Sequence, residues 1–209
     1  MRASLVAVAL GLLLCVAVAA PVSASLVLAL DLPTMVSRAD NVAVVDVASV
    51  KSDWDAHHEQ ILTTIDLVVV ESWKGGAAPG SHLTVVQLGG TVGDLTQTVH
   101  GMTRFAAGER AVVFLAGRAD HASVVGMAQG KRHVQRDTTT GRLFVHAPDR
   151  AGATFIKATP ASATAPVFEM RARPLDDLRA DVRNLAAAGS GSVIKPGAAK
   201  PGTPTGGTR

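Results

Sequence analysis

The chain has 209 residues, 47% of them hydrophobic and 18% charged, with a formal net charge of +3. Two tryptophans and no tyrosine leave few of the aromatic platforms that sugar-binding and single-strand nucleic-acid surfaces use, which argues against both. The pI of about 9.4 is made at the ends: without Arg2, Lys195, Lys200 and Arg209 the body is near neutral, with no clustered basic footprint for phosphates.

Arg2 is followed by an uncharged apolar run from Ala3 to Ala20 and then Pro21-Val22-Ser23-Ala24. A positive start, an apolar stretch and a small-residue cleavage site predict a secretory signal peptide over residues 1–24, cut to leave Ser25 first. A run of this length could also stay as a membrane anchor. The small residues at the cleavage site, and the lack of basic residues just after it, favour cleavage. Cys15, the single cysteine, lies inside this leader. Leu12-Leu13-Leu14-Cys15 is like a bacterial lipobox, but Leu14 stands where a small residue belongs. The mature chain is therefore expected to lack thiols, disulfides and Cys-ligated metal, and to stand on its hydrophobic core. Such a domain fits a secreted or periplasmic location in a bacterial envelope, with no membrane contact once the leader is gone.

Residues 25–188 are one domain's worth of chain. Asp31 to Asp40 reads as a short helix, with Asp31 as N-cap, Pro33 in the first turn, and Leu32, Met35, Val36 and Ala39 on one face. Val42 to Val50 is the first expected strand, and Lys51 to Glu59 a polar loop that turns the chain as a hairpin. Gln60 to Gly75 is the stretch around which the rest is organised. Its odd positions, Ile61, Thr63, Ile65, Leu67, Val69, Glu71 and Trp73, form the more continuous apolar face and should point at the core. A run this long spans about 40 Å, about twice a common strand, and suits a small bent barrel in which one strand serves both halves.

Pro79-Gly80 turns the chain into a third strand, His82 to Leu88. Gly89 to Arg104, with four glycines, reads as a flexible connection, and Phe105 to Glu109 as a turn into the strand Arg110 to Ala116. Ala122 to Met127, Lys131 to Gln135 and Arg142 to His146 are three more expected strands, with Gln129-Gly130 and Asp137 to Gly141 as hairpin turns. Pro148 to Pro166 is expected to be an exposed loop with a short strand around Phe155. Pro174 to Ala188 is the second helix, with Leu175, Leu178, Val182 and Leu185 as its apolar stripe and Asp176 and Asp177 at the positive end of the dipole. Gly189 should stop it, and residues 189–209, rich in Gly, Pro, Thr, Ala and Lys, should be a disordered tail. The fold class expected is mainly β: a small, bent, OB-like antiparallel barrel of five to seven strands, with a short N-terminal helix and a C-terminal amphipathic helix.

Asp53, Asp55, His57, His58 and Glu59 form the densest polar cluster. Imidazole and carboxylate together can hold zinc or a harder cation. Adjacent histidines in an extended loop point opposite ways, however, and Leu62 stands where a His-Glu-x-x-His motif would need its second histidine. The plainer reading is a solvated hairpin tip. Gly89-Gly90-Thr91-Val92-Gly93-Asp94 has neither the Gly-Lys-Ser/Thr of a phosphate loop nor the Rossmann spacing. Gly-x-Ser-x-Gly is absent, and a mature chain without cysteine has no thiol chemistry. Loops on a rigid scaffold are where binding residues concentrate. Trp54 in its polar loop is a hot-spot candidate, unless it folds back on the barrel rim. Around it stand Asp55, His57 and His58, and the glycine-rich connection adds Gly90, Asp94 and His100.

The order Val42–Val50, then Thr63/Thr64 through Val70 to Trp73-Lys74-Gly75, then Val85 to Gly90, then Phe105-x-x-Gly108-Glu109 before Val112-Val113-Phe114-Leu115, resembles a group of uncharacterised exported bacterial proteins with an OB-like barrel. More distantly it resembles the barrel of tissue inhibitors of metalloproteinases and netrin-type modules. The match covers about Val42 to Phe144 and implies the fold alone. The inhibitors chelate the protease zinc through an N-terminal cysteine, and here Ser25 would stand first. The function expected is an exported, non-catalytic binding or interaction module, inhibitor-like, acting through barrel-end loops on an exported or envelope protein and needing no cofactor. The alternative is a small metal-dependent hydrolase in which His57, His58, His82, His100, His121, His133 and His146 converge in space.

Overall fold

The computed structural model describes residues 25–146, 153–156 and 172–190. The expected leader, most of the loop from Pro148 to Pro166 and the tail beyond residue 190 lie outside the described residues. The fold is mainly β, with two helices. In chain order it runs β1 (Ser25–Leu28), α1 (Leu32–Arg38), β2 (Asn41–Trp54), β3 (Ile61–Lys74), β4 (His82–Leu88), β5 (Gly90–Val92), β6 (Leu95–Gln97), β7 (Arg110–Arg118), β8 (His121–Val124), β9 (Lys131–Arg136), β10 (Leu143–Val145), β11 (Ala153–Ile156), β12 (Arg173–Pro174) and α2 (Leu175–Ser190).

Among the described residues the main sheet has the order β12-β10-β9-β7-β2-β3-β4-β8, and β8 pairs back onto β7. The path β2-β3-β4-β8-β7 thus returns to β2 as a partial ring. Its closing contact is narrow, since β4 and β8 meet in parallel only at Val85 and Ala122. All seven strands expected from the sequence lie in this sheet, and β12 adds two residues at its far edge. The short strand around Phe155 is also present, in parallel with β1 outside the main sheet.

The long strand β3 is where sequence pattern and pairing part company. Val45 pairs with Val69 and Val44 with Glu71, which leaves Val70 unpaired; Ala43 pairs with Ser72 and Val42 with Lys74, which leaves Trp73 unpaired. Each such irregularity turns the following residues onto the other face. The odd positions are therefore mostly buried, as expected, but they serve two cores. Ile65, Leu67 and Val69 face the inside of the ring with Val45, Leu83, Val85, Val113 and Leu115. Trp73, joined by the bulged Val70, packs on the outer face with Val44, Phe114 and both helices. The Trp73 indole N–H is buried and meets no acceptor among the described residues.

The same reversal puts two charges where they hold the helices. Glu71 accepts Arg179 Nε at 3.1 Å and Arg183 at 2.9 Å, both from α2. The Lys74 ammonium donates to the carbonyls of Val36 at 2.7 Å and Ala39 at 2.6 Å, answering the otherwise open carbonyls at the end of α1. At the other end of α1 the expected cap is present: the Thr34 N–H donates to Asp31 Oδ1 at 2.8 Å. Gly75 follows with φ +92°, and a Cβ there would lie 2.4 Å from the Asp40 carbonyl. Only glycine ends β3 this close to the neighbouring chain.

Three boundaries depart from expectation. β2 continues through Lys51, Ser52 and Asp53 to Trp54, which pairs with Ile61, so the loop shrinks to a tip at residues 55–60. The stretch Ala122 to Met127 leaves the sheet at Val124, and Gln129-Gly130 belongs to a 3-10 turn, Met127–Gly130, not to a hairpin turn. Gln129 is fully buried there. Its Oε1 accepts the Leu30 N–H at 2.8 Å, and its Nε2 donates to the Leu28 and Gly126 carbonyls at 3.0 and 3.1 Å. That clamp ties the start of the domain to the ring. Finally, α2 runs through Gly189 to Ser190.

Candidate functional site

Because β4 meets β8 only at Val85, the ring stays open beyond that point, toward Leu88. The connection after β4 folds across this opening. Sequence reading takes it as a flexible link, but it holds the two-stranded hairpin β5-β6, with Val92 paired to Leu95 across Gly93-Asp94. Gly93, at φ +58°, takes the left-handed position of that two-residue turn. The hairpin is fastened at its base. Gln97 Oε1 accepts the Ile61 N–H at 2.7 Å, and the Gly89 N–H donates to the Ile61 carbonyl at 2.8 Å.

Thr63 Oγ1 donates to the Gly89 carbonyl at 2.5 Å, so Ser52 Oγ, 2.8 Å from Thr63 Oγ1, must donate in turn. Gly90 lies directly over this hydroxyl pair at φ +140°, where a Cβ would come within 2.3 Å of Ser52 Oγ. Further along, Gln87 Nε2 donates to the Thr103 carbonyl at 2.8 Å and holds the end of the connection against β4.

Two clefts flank that end. One, of about 470 Å³, lies under the hairpin between Ser52, Thr63, Gln87 and Gln97, with Val50 and Met102 as apolar wall. The other, of about 350 Å³, lies between Ala106, Glu109, Lys131 and His133. Thr103, Arg104 and Phe105 line both, so the two clefts adjoin along this segment as a two-part groove.

In the smaller cleft the pairing of β7 with β9 brings distant residues together. Ala111 lies opposite His133 and Val113 opposite Lys131, which sets both side chains on the face of β7 that carries the inner core. The Lys131 ammonium donates to Glu109 Oε1 and to the Arg104 carbonyl, and sits 4.7 Å from the centre of the Phe105 ring. Glu109 Oε1 also accepts the Ala106 N–H at 2.9 Å, while Oε2 faces His133 Nδ1 at 3.4 Å. The Lys131 and Glu109 side chains are only 11% and 13% exposed. Arg104 ends the glycine-rich connection on which sequence reading places binding, and His133 is one of the seven histidines of the metal-dependent alternative; Phe105, Glu109 and Lys131 are singled out for neither. The available signal was the alternation Lys131-x-His133, which places two cationic-type side chains on one face of a strand.

The residues that are singled out fall elsewhere, apart from Gly90. Trp54, Asp55, His57 and His58 make the β2-β3 hairpin tip, Asp94 the turn of the second hairpin, and His100 the turn that follows it. Trp54 is half-buried and stacks on His58, with ring centres 6.2 Å apart. Asp55 is a turn former: its Oδ1 accepts the Glu59 and Gln60 N–H groups at 2.8 and 3.3 Å. The Glu59 bond, first, holds its carboxyl below the usual carboxylate range. Of the other histidines, His82 Nδ1 lies 2.8 Å from Asp66 Oδ1 on the sheet surface. Among the described residues no group of three or more His, Cys, Asp or Glu side chains is placed to hold a metal ion, and no helix is long and apolar enough to cross a membrane.

Turn and cap carboxylates of this kind set an acid limit. Asp31, bonded to Thr34, and Asp137, bonded to Thr140, are likewise held below their ordinary values, as is Asp46 by the Arg110 fork at 2.7 Å. Each is more acidic folded than unfolded, so its contribution is complete above about pH 4 and is lost as pH falls through the lowered folded value. The thermal midpoint should therefore fall steadily below about pH 4, and Asp46→Asn should shallow that slope. A midpoint flat from pH 5 to pH 2 would contradict the assignment.

No family model, no curated protein and no solved structure matches this chain.

Proposed function

We propose that the protein is an exported, non-catalytic binding module with an OB-like barrel. It holds an extended segment of another exported or envelope protein in the groove at the opening of the ring. The observation that carries this reading is the groove itself. Two clefts share Thr103, Arg104 and Phe105, and their walls are anchored by side-chain hydrogen bonds from rigid strands. The lining is mixed in character: hydroxyls and amides from Ser52, Gln87, Thr96 and Gln97, with apolar Val50, Met102 and Phe105. Such a surface suits a polypeptide, whose backbone needs partners at every step and whose side chains alternate. The hairpin tips carrying Trp54 and Asp94 flank the ring and extend the contact area.

A photo-crosslinking residue placed at Thr98, in the groove, should capture a defined protein partner in the native host. The same residue at Asn184, on the exposed face of α2, should not. Equal capture from both positions, or capture from Asn184 alone, would overturn the groove as the binding surface.

A further inference from the structure

We propose that the Arg104 end of the groove is a carboxylate-binding subsite, so that the segment held there presents an acidic side chain; the polypeptide part of this rests on the binding reading above. Lys131 and Glu109 neutralise one another, and the Lys131 ammonium is fully engaged by the Glu109 carboxylate, the Arg104 carbonyl and the face of Phe105. Their work is to fix the backbone of residues 104–106, since Glu109 also takes the Ala106 N–H and Gln87 holds the Thr103 carbonyl.

What remains is Arg104. It is exposed and lines both clefts, and its guanidinium meets no acceptor among the described residues. Glu109 is the only acid among the described residues that line either cleft. His133 also lines the smaller cleft, with Nδ1 turned toward Glu109.

An arginine whose backbone is pinned and whose planar fork meets no acceptor among the described residues is prepared for a group that accepts two parallel hydrogen bonds. Carboxylate and phosphate both fit that fork. With Glu109 neutralised by Lys131, the single guanidinium of Arg104 balances a single negative charge and not a dianion. That selects the carboxylate.

The test is a calorimetric titration of the purified protein at low salt with three probes: a capped hexapeptide of alternating threonine and glutamate, its glutamine counterpart, and free acetate. The glutamate peptide should bind about tenfold more tightly than the glutamine peptide. Arg104→Gln should abolish that advantage, and added salt should erode it. The unfolding midpoint of Arg104→Gln should match that of the parent, because the side chain is exposed and unpartnered. Equal binding of the two peptides would overturn the subsite and leave the polypeptide reading standing. Acetate binding that is lost in Arg104→Gln, with neither peptide bound, would uphold the subsite and overturn the polypeptide reading. No binding by any probe would overturn both.

Discussion

Leu178→Ala should destabilise the fold by about 2–5 kcal/mol, the range for emptying a fully buried leucine site. Leu178 has no exposed surface and lies in the outer core with Leu175, Val182, Trp73, Val36 and Met35. It therefore sits where α2 meets both the sheet and α1. The helix remains tethered in the variant through Arg179 and Arg183 on Glu71. These exposed or half-exposed pairs contribute little energy but keep the register. The site cannot collapse freely, and a cavity is left behind, which places the loss toward the upper part of the range. Urea unfolding of parent and variant measures it. A loss below about 0.5 kcal/mol, typical of surface changes, would mean that α2 does not dock.

The elements were legible in the sequence where local chemistry decides them. The β-branched alternation of Ile61 to Val70, the Asp31 cap with Pro33 behind it, and the stripe Leu175, Leu178, Val182 all specify their structure from within a short window. What could not be read depends on partners far along the chain. The face change at Val70 exists only because β3 is laid against β2 in one register, and no property of Val70 announces it. Lys51 to Asp53 reads as loop because that end of the hairpin is solvated, yet its backbone is paired with β3. The connection from Gly89 looked loose because of its glycines; Gly90 in fact marks a place where two hydroxyls leave no room for a side chain.

The candidate site was hidden for the same reason. A search for clustered polar residues finds the hairpin tip, where Asp55 spends its carboxylate on the turn and His58 stacks on Trp54. The groove residues are single polar positions scattered over β2, β3, β4, β6, β9 and the connections between them. Glu109 and Lys131 are brought together only by the pairing of β7 with β9.

That pair gives the second large effect. Lys131→Met should cost about 3 kcal/mol, the lower end of the range for breaking a buried ion pair by removing one partner. The loss arises less from the missing attraction than from a Glu109 carboxylate left in a poorly hydrated site with the Ala106 N–H as its remaining hydrogen bond. Glu109→Gln added to Lys131→Met removes the stranded charge. The double variant should be more stable than the sum of the single losses predicts, by about 1–3 kcal/mol. Urea unfolding of the four proteins at pH 7 measures both effects. Strict additivity, or a Lys131→Met loss below about 0.5 kcal/mol, would mean that Glu109 and Lys131 behave as an ordinary surface pair and do not hold the wall of the groove.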